Sequence, residues 1–148
     1  MRYYPYEEFR DDTNKLVASL LPTHFDAIVT IARGGLILSH ALAQGLGVRD
    51  VRVVNTRLYD NAVKRSCIEI MNSCSLEGLN SVLVVDDIAD SGETLREVVR
   101  HLEAQKYGTK LVTCTKKKKK SSVFEPDFWI QEASEWIEFF WERDFMPI

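Results

Sequence analysis

The chain has 148 residues, of which 45% are apolar and 28% charged, with a formal net charge of −3; that is the size and balance of one globular domain, able to bury about two-thirds of its unfolded surface without a disulfide or metal staple. The slight negative charge argues against a general attraction to nucleic acid. No apolar run approaches the ~20 residues of a membrane span, and the first twelve residues, MRYYPYEEFRDD, are too acidic and polar for a secretory signal.

In chain order, residues 7–21 place Phe9, Thr13, Leu16, Val17, Leu20 and Leu21 on one helical face, and Pro22 ends that helix. Asp26–Ala32 is a short apolar run suited to a buried strand. Arg33-Gly34-Gly35 then forms a tight turn into a helix over Leu36–Leu46, with Gly47 as its stop. Val51–Asn55 is expected to be a strand, Thr56–Ser66 a polar, mobile excursion, and Cys67–Met71 the next strand.

After the turn at Glu77–Asn80, Ser81–Val85 is the most apolar β-branched run of the chain. Gly92–Gln105 follows as a helix with Leu95, Val98, Val99 and Leu102 inward. Leu111–Thr115 and Phe128–Ile130 complete the predicted strands. Strands alternating with helices imply parallel β-α-β units, hence an α/β fold with a mostly parallel sheet flanked by helices. Ligands bind such sheets at the carboxyl ends of strands. Three of those ends carry Arg33-Gly34-Gly35, Asp86-Asp87 and Lys116-Lys117.

The charge is distributed unevenly. Lys116–Lys120 is a run of five lysines, read as a solvated loop beyond the strand, whereas Val123–Ile148 carries seven acids against one base, Arg143. Cys67, Cys74 and Cys114 are odd in number and form no CxxC pair, which suits a reduced, cytoplasmic setting and small core hydrophobes.

The densest chemistry lies in Val82–Thr94, VLVVDDIADSGET. A buried strand delivers two adjacent carboxylates, Asp86 and Asp87, which repel each other and call for a cation or hydroxyl donors. A sugar diol or hydrated Mg²⁺ meets that need. Asp90-Ser91-Gly92-Glu93-Thr94 then leads into a helix, offering hydroxyls and backbone N–H groups to an anion such as phosphate. Taken alone, DSGET is also ordinary helix-cap chemistry. No Walker A loop is present.

This segment resembles the signature of the type I phosphoribosyltransferases: four apolar residues, two acids, two variable residues, then D-[ST]-G-x-T. The family transfers ribose 5-phosphate from phosphoribosyl pyrophosphate (PRPP) to a nitrogenous base. The resemblance is greatest to the short bacterial xanthine-guanine enzymes. It implies the type I phosphoribosyltransferase fold over residues 1–148, with a flexible loop at about 56–66 and a small C-terminal hood at about 123–148. It also implies a homo-oligomer, dimer or tetramer, with small-molecule substrates and no nucleic-acid or integral membrane partner.

Residue by residue, the resemblance assigns PRPP and its phosphates to Arg33, Gly34 and the whole run Asp86, Asp87, Ile88, Ala89, Asp90, Ser91, Gly92, Glu93 and Thr94. Asp86 and Asp87 match the ribose and metal region, with Asp87 the Mg²⁺ position. Arg65, beside Lys64 in YDNAVKRS, is expected to close over the pyrophosphate. Asp90 matches the carboxylate near N7 of a purine, the general base or holder of the N7 proton. A lysine at the end of the next strand donates to O6 of a 6-oxopurine. Ungapped matching puts Lys117 there, with Lys116 the fallback. In Glu135-Trp136-Ile137-Glu138 the Trp136 ring covers the purine face, and the Trp136 and Ile137 carbonyls accept from a 2-amino group. Trp129, Phe139, Phe140 and Trp141 depart from the relatives and add bulk near that pocket.

The implied reaction is Mg²⁺-dependent purine salvage from guanine, xanthine or hypoxanthine. The alternatives are a phosphoribosyltransferase for adenine, uracil or orotate, and a non-catalytic PRPP-binding regulator. Lys117 opposes the first, since adenine carries a donor at position 6, and the lack of any nucleic-acid-binding addition opposes the second.

Overall fold

A computed structural model describes residues 1–59, 67–145 and 147. Twelve elements follow one another among them: β1 (Arg2–Tyr4), α1 (Tyr6–Leu20), β2 (Ala27–Ala32), α2 (Leu36–Leu46), β3 (Val51–Tyr59), β4 (Cys67–Asn72), β5 (Ser81–Ala89), α3 (Glu93–Glu103), β6 (Lys110–Lys119), β7 (Gln131–Ala133), β8 (Ile137–Phe139) and α4 (Phe140–Arg143). The main sheet has the order β4-β3-β2-β5-β6-β7 and is parallel except for β4, which pairs antiparallel with β3.

The register Ala27↔Val82 to Thr30↔Val85 aligns the two central strands. In β5, Leu83 and Val85 face a core shared with α1, α2 and the C-terminal segment, while Val82 and Val84 face a second core with α3. Burial on both faces is why this run reads as continuously apolar instead of alternating.

Most predicted elements recur, and the differences have physical causes. Thr56–Tyr59, expected in an excursion, belongs to β3, because it finds antiparallel partners in Cys67–Ile70. In α1 Asp12 is buried, and Leu21, just past the end of the helix, is 58% exposed; Asp12 turns inward because the Tyr4 hydroxyl donates to its carboxylate. The strand expected at Phe128–Ile130 is a lone bridge from Phe128 to Cys114, and the ladder forms three residues later, at Gln131–Ala133.

Two short strands without sequence signal, β1 and β8, pair in parallel as a separate sheet, Arg2↔Ile137 to Tyr4↔Phe139. The late aromatics pack beneath it: Phe139 meets Tyr4 edge-on at 5.5 Å and stacks on Trp141 at 4.5 Å, and Phe9 lies 5.6 Å from Phe140. Much of the bulk expected to crowd a pocket is therefore hood core.

The lysine run is strand, not loop, as far as Lys119. Lys116 is completely buried, its ammonium donating to the Phe9 carbonyl at 3.1 Å and to the Thr13 hydroxyl, 4.4 Å from the centre of the Phe9 ring. Burial pushes its pKa down to about 7. The folded-state value then lies below that of the unfolded chain, so above about pH 7 the unfolded state binds the extra proton and stability rises with pH. The difference in unfolding free energy between wild type and Lys116→Met should therefore shift in favour of wild type between pH 7 and pH 9, by up to about 1.4 kcal/mol per pH unit. Parallel pH profiles of the two proteins in urea denaturation would refute this account of Lys116.

Candidate active site

The central strands part company at their carboxyl ends. From β2 the chain crosses through α2 to β3 on one side, and from β5 through α3 to β6 on the other. This divergence opens a crevice, the place where parallel sheets bind ligands. Arg33-Gly34-Gly35 forms one wall and Asp86–Gly92 the other.

The two glycines are required by proximity. A Cβ on Gly34 would stand 2.7 Å from the Asp87 carboxylate, and one on Gly35 would stand 2.6 Å from the Val85 carbonyl. Arg33 is exposed at the rim, and the Ala32–Arg33 peptide is cis.

Asp86 is buried and Asp87 half-buried. The Asp86 carboxylate accepts from the Asp87 N–H at 2.8 Å, and the Asp87 carboxylate from the Ile88 N–H at 2.7 Å. Burial, followed by repulsion from Asp87, holds Asp86 well above the usual carboxylate range; burial also raises Asp87, with Glu142 adding to the effect. A close pair of hard oxygen donors carrying more negative charge than its surroundings compensate suits a divalent cation such as Mg²⁺ or a sugar diol.

Ile88 and Ala89, placed by the motif in the phosphate-binding run, are ladder residues of β5 opposite Lys117 and Lys118; Ala89 is buried and Ile88 lines the cleft described below. The turn that follows is closed from above. Gly92 has φ +83°, and a Cβ there would meet the Phe124 N–H nitrogen at 2.6 Å. The Val123 N–H donates to the Ser91 carbonyl at 2.7 Å. The Ser91 hydroxyl accepts from the Glu93 N–H at 3.2 Å where α3 begins, leaving Ser91–Thr94 gathered around a helix N-terminus.

Beside this turn lies a cavity of about 130 Å³, lined by Asp87, Asp90, Lys119, Trp136, Ile137 and Glu142, together with Ile88 and Phe139. Lys119 and Asp90 form an ion pair at 2.7 Å, with the ammonium 5.8 Å from the centre of the Trp136 ring. Trp136 is 58% exposed, so its ring is a surface of the cleft and not core. The Trp136 carbonyl already accepts from the Arg2 N–H at 3.0 Å, which leaves one lone pair for a ligand. A larger hollow of about 640 Å³ between α1 and α2 has no carboxylate in its lining.

Lys117, the expected base contact, lies elsewhere. It is buried, donates to the Gln131 side chain, stands 4.0 Å from Glu8 and sits over the Tyr4 ring. The lysine beside Asp90 is Lys119, one of five consecutive lysines among which the sequence alone does not choose. Glu142 was missed as well; its signal is local, since it accepts from the Phe139 N–H at 3.4 Å and caps α4. Lys64 and Arg65 lie outside the described residues.

Comparison with known proteins agrees with this architecture. The family model described as "Phosphoribosyl transferase domain" matches residues 4–144. A xanthine-guanine phosphoribosyltransferase of Idiomarina loihiensis is 26% identical over 144 residues, covering 95% of this chain and 86% of the relative. The structure of the Helicobacter pylori xanthine-guanine-hypoxanthine phosphoribosyltransferase superposes with a TM-score of 0.82 at 31% identity, covering 97% of this chain and 93% of the other. That of a purine phosphoribosyltransferase from Pyrococcus horikoshii superposes with a TM-score of 0.86 at 24% identity, covering 99% and 95%. With a sheet that diverges at paired carboxylates and a family model that spans nearly its full length, this chain belongs to the phosphoribosyl transferase domain family.

Proposed function

We propose that this protein transfers ribose 5-phosphate from PRPP to N9 of a 6-oxopurine, releasing pyrophosphate, as the names of its Idiomarina and Helicobacter relatives also suggest. The observation that carries the choice of base is the Asp90–Lys119 pair beside Trp136. A 6-oxopurine protonated at N7 presents a donor and an acceptor side by side on one edge. Asp90 accepts from N7–H, Lys119 donates to O6, and the ring lies against Trp136. Inserting the base between the paired charges leaves both satisfied. Adenine offers a donor at position 6, which Lys119 cannot meet.

The other residues bind and orient. Asp86 and Asp87 take the ribose hydroxyls, Ser91–Thr94 the 5-phosphate, and Arg33 forks oxygens of the pyrophosphate. Asp87, on the cleft side, is the position for Mg²⁺. Bound there, the cation supplies charge neutralisation for the departing pyrophosphate. Asp90 holds or removes the N7 proton as N9 attacks an oxocarbenium-like centre. Arg65 or Lys64, outside the described residues, is our choice for a further cation on the pyrophosphate. We read residues 1–148 as one unit acting in the cytoplasm, where its three free cysteines stay reduced, and as a dimer or tetramer.

Four outcomes test this reading. Protein, Mg²⁺ and PRPP mixed in turn with guanine, xanthine, hypoxanthine, adenine, uracil and orotate should yield nucleotide from the 6-oxopurines; no product from any of them sinks it. Asp90→Asn should lower kcat by roughly a hundredfold or more; near-wild-type turnover removes Asp90 as the proton-handling group. Chelation should abolish turnover and Mg²⁺ restore it. Because the Asp86–Asp87 pair holds its proton more tightly than ordinary carboxylates, the Mg²⁺ requirement should rise as pH falls toward 5. A requirement independent of pH would place the metal elsewhere.

A further inference from the structure

We infer that Lys117 is a positioning residue that fastens the hood strand β1 to the main sheet, and through it keeps Trp136 over the cleft. The inference rests on the reading of the Trp136 cleft as the base site. Lys117 is 1% exposed and touches three elements at once: the Gln131 side chain of β7, the Glu8 carboxylate of α1 at 4.0 Å, and the Tyr4 ring of β1 at 4.6 Å. Glu8 also pairs with Arg2 of β1 at 2.5 Å. Arg2 in turn donates its N–H to the Trp136 carbonyl at 3.0 Å and pairs in register with Ile137. A continuous path of contacts therefore runs from Lys117 to the two residues that wall the base cleft.

The hood needs such an anchor. Its sheet has two strands of three residues each, too small to stand alone in water. Tyr4 is completely buried, with its hydroxyl on Asp12 and its ring edge on Phe139. Lys117 adds a charged contact over the same ring. An ammonium at this depth carries a desolvation cost that an apolar side chain of the same length would not. Gln131 is the ladder partner of Lys117 across β6 and β7, whereas the Glu8 carboxylate and the Tyr4 ring lie on α1 and β1, which no backbone ladder joins to the main sheet. Two residues further along the strand, Lys119 reaches Asp90. Strand β6 thus supports the base cleft at position 117 and lines it at position 119.

The test compares Lys117→Met with Lys119→Met in steady-state kinetics. Lys117→Met should raise KM for guanine, xanthine and hypoxanthine by one common factor, roughly tenfold, as expected when a bound ring is misplaced by a fraction of an ångström. KM for PRPP should stay within about twofold, because that substrate is held by β2 and β5. Lys119→Met, which removes the donor proposed for the O6 that all three bases share, should also raise all three purine KM values but leave hydrogen exchange in β1 and β8 unchanged. A Lys117→Met enzyme with unchanged purine KM, with PRPP affected equally, or with an altered base preference overturns the inference. The milder Gln131→Ala, at an exposed residue, should show the same pattern at smaller size and serves if Lys117→Met folds poorly. Hydrogen exchange separates this idea from the functional reading: in the Lys117→Met or Gln131→Ala protein, amides of β1 and β8 should exchange faster while those of β5 and α3 do not. That result would support the strut even if wild type accepted no 6-oxopurine, and unchanged protection in β1 and β8 would refute it.

Discussion

The Asp87 carboxylate lies where a side chain on Gly34 would have to be. That contact sets the spacing of the site, because it joins the ends of the two strands from which the chain diverges in opposite directions. The sheet must be parallel here for both strands to deliver their carboxyl ends to one edge, and β5 must be apolar on both faces to lie at its centre. The cost is two acids held close together with their proton affinities raised. A site with that property suits a cation or a polyol, either of which would ease the repulsion between the two acids.

The five lysines show how little a side chain's identity determines when its strand register is unknown. Lys116 points into the core against α1, Lys117 braces the hood, Lys118 lies over the Trp129 ring and reaches Glu125 at 3.4 Å, and Lys119 meets Asp90. Lys120 is exposed at the end. Alternation along a strand sends neighbours to different places, so a run that looks redundant divides into separate environments. The excess acid of residues 123–148 is partly answered in the same way: Glu125 and Glu132 both stand near Lys118. Those surface pairs contribute little to stability. The buried contacts of Lys116 and Lys117 join elements distant in sequence, and their loss would be felt more widely.

The hood illustrates the same point from the other end of the chain. Arg2–Tyr4 has no strand pattern long enough to detect, yet it gives Ile137–Phe139 its partner and occupies the Trp136 carbonyl. Aromatic residues that the sequence places near the base are divided by packing: Phe140 and Trp141 build the layer below the hood, Phe139 packs with them and also lines the cleft, and the Trp136 ring is left open to it.

By itself the sequence determined what is local. The apolar run into Asp86-Asp87, the small residues leading into α3, the turn at Gly34-Gly35 and the helix Leu36–Leu46 are each encoded within a dozen residues, by periodicity, propensity and turn chemistry, and all are legible without coordinates. The family resemblance and the α/β class followed from them. The tertiary structure decided which lysine meets Asp90, that Thr56–Tyr59 joins β3, that Asp12 turns inward, and that the first strand holds the last. Each of these depends on a partner eight or more residues away, brought near by the fold. A single sequence carries the side chains but not the registers that aim them.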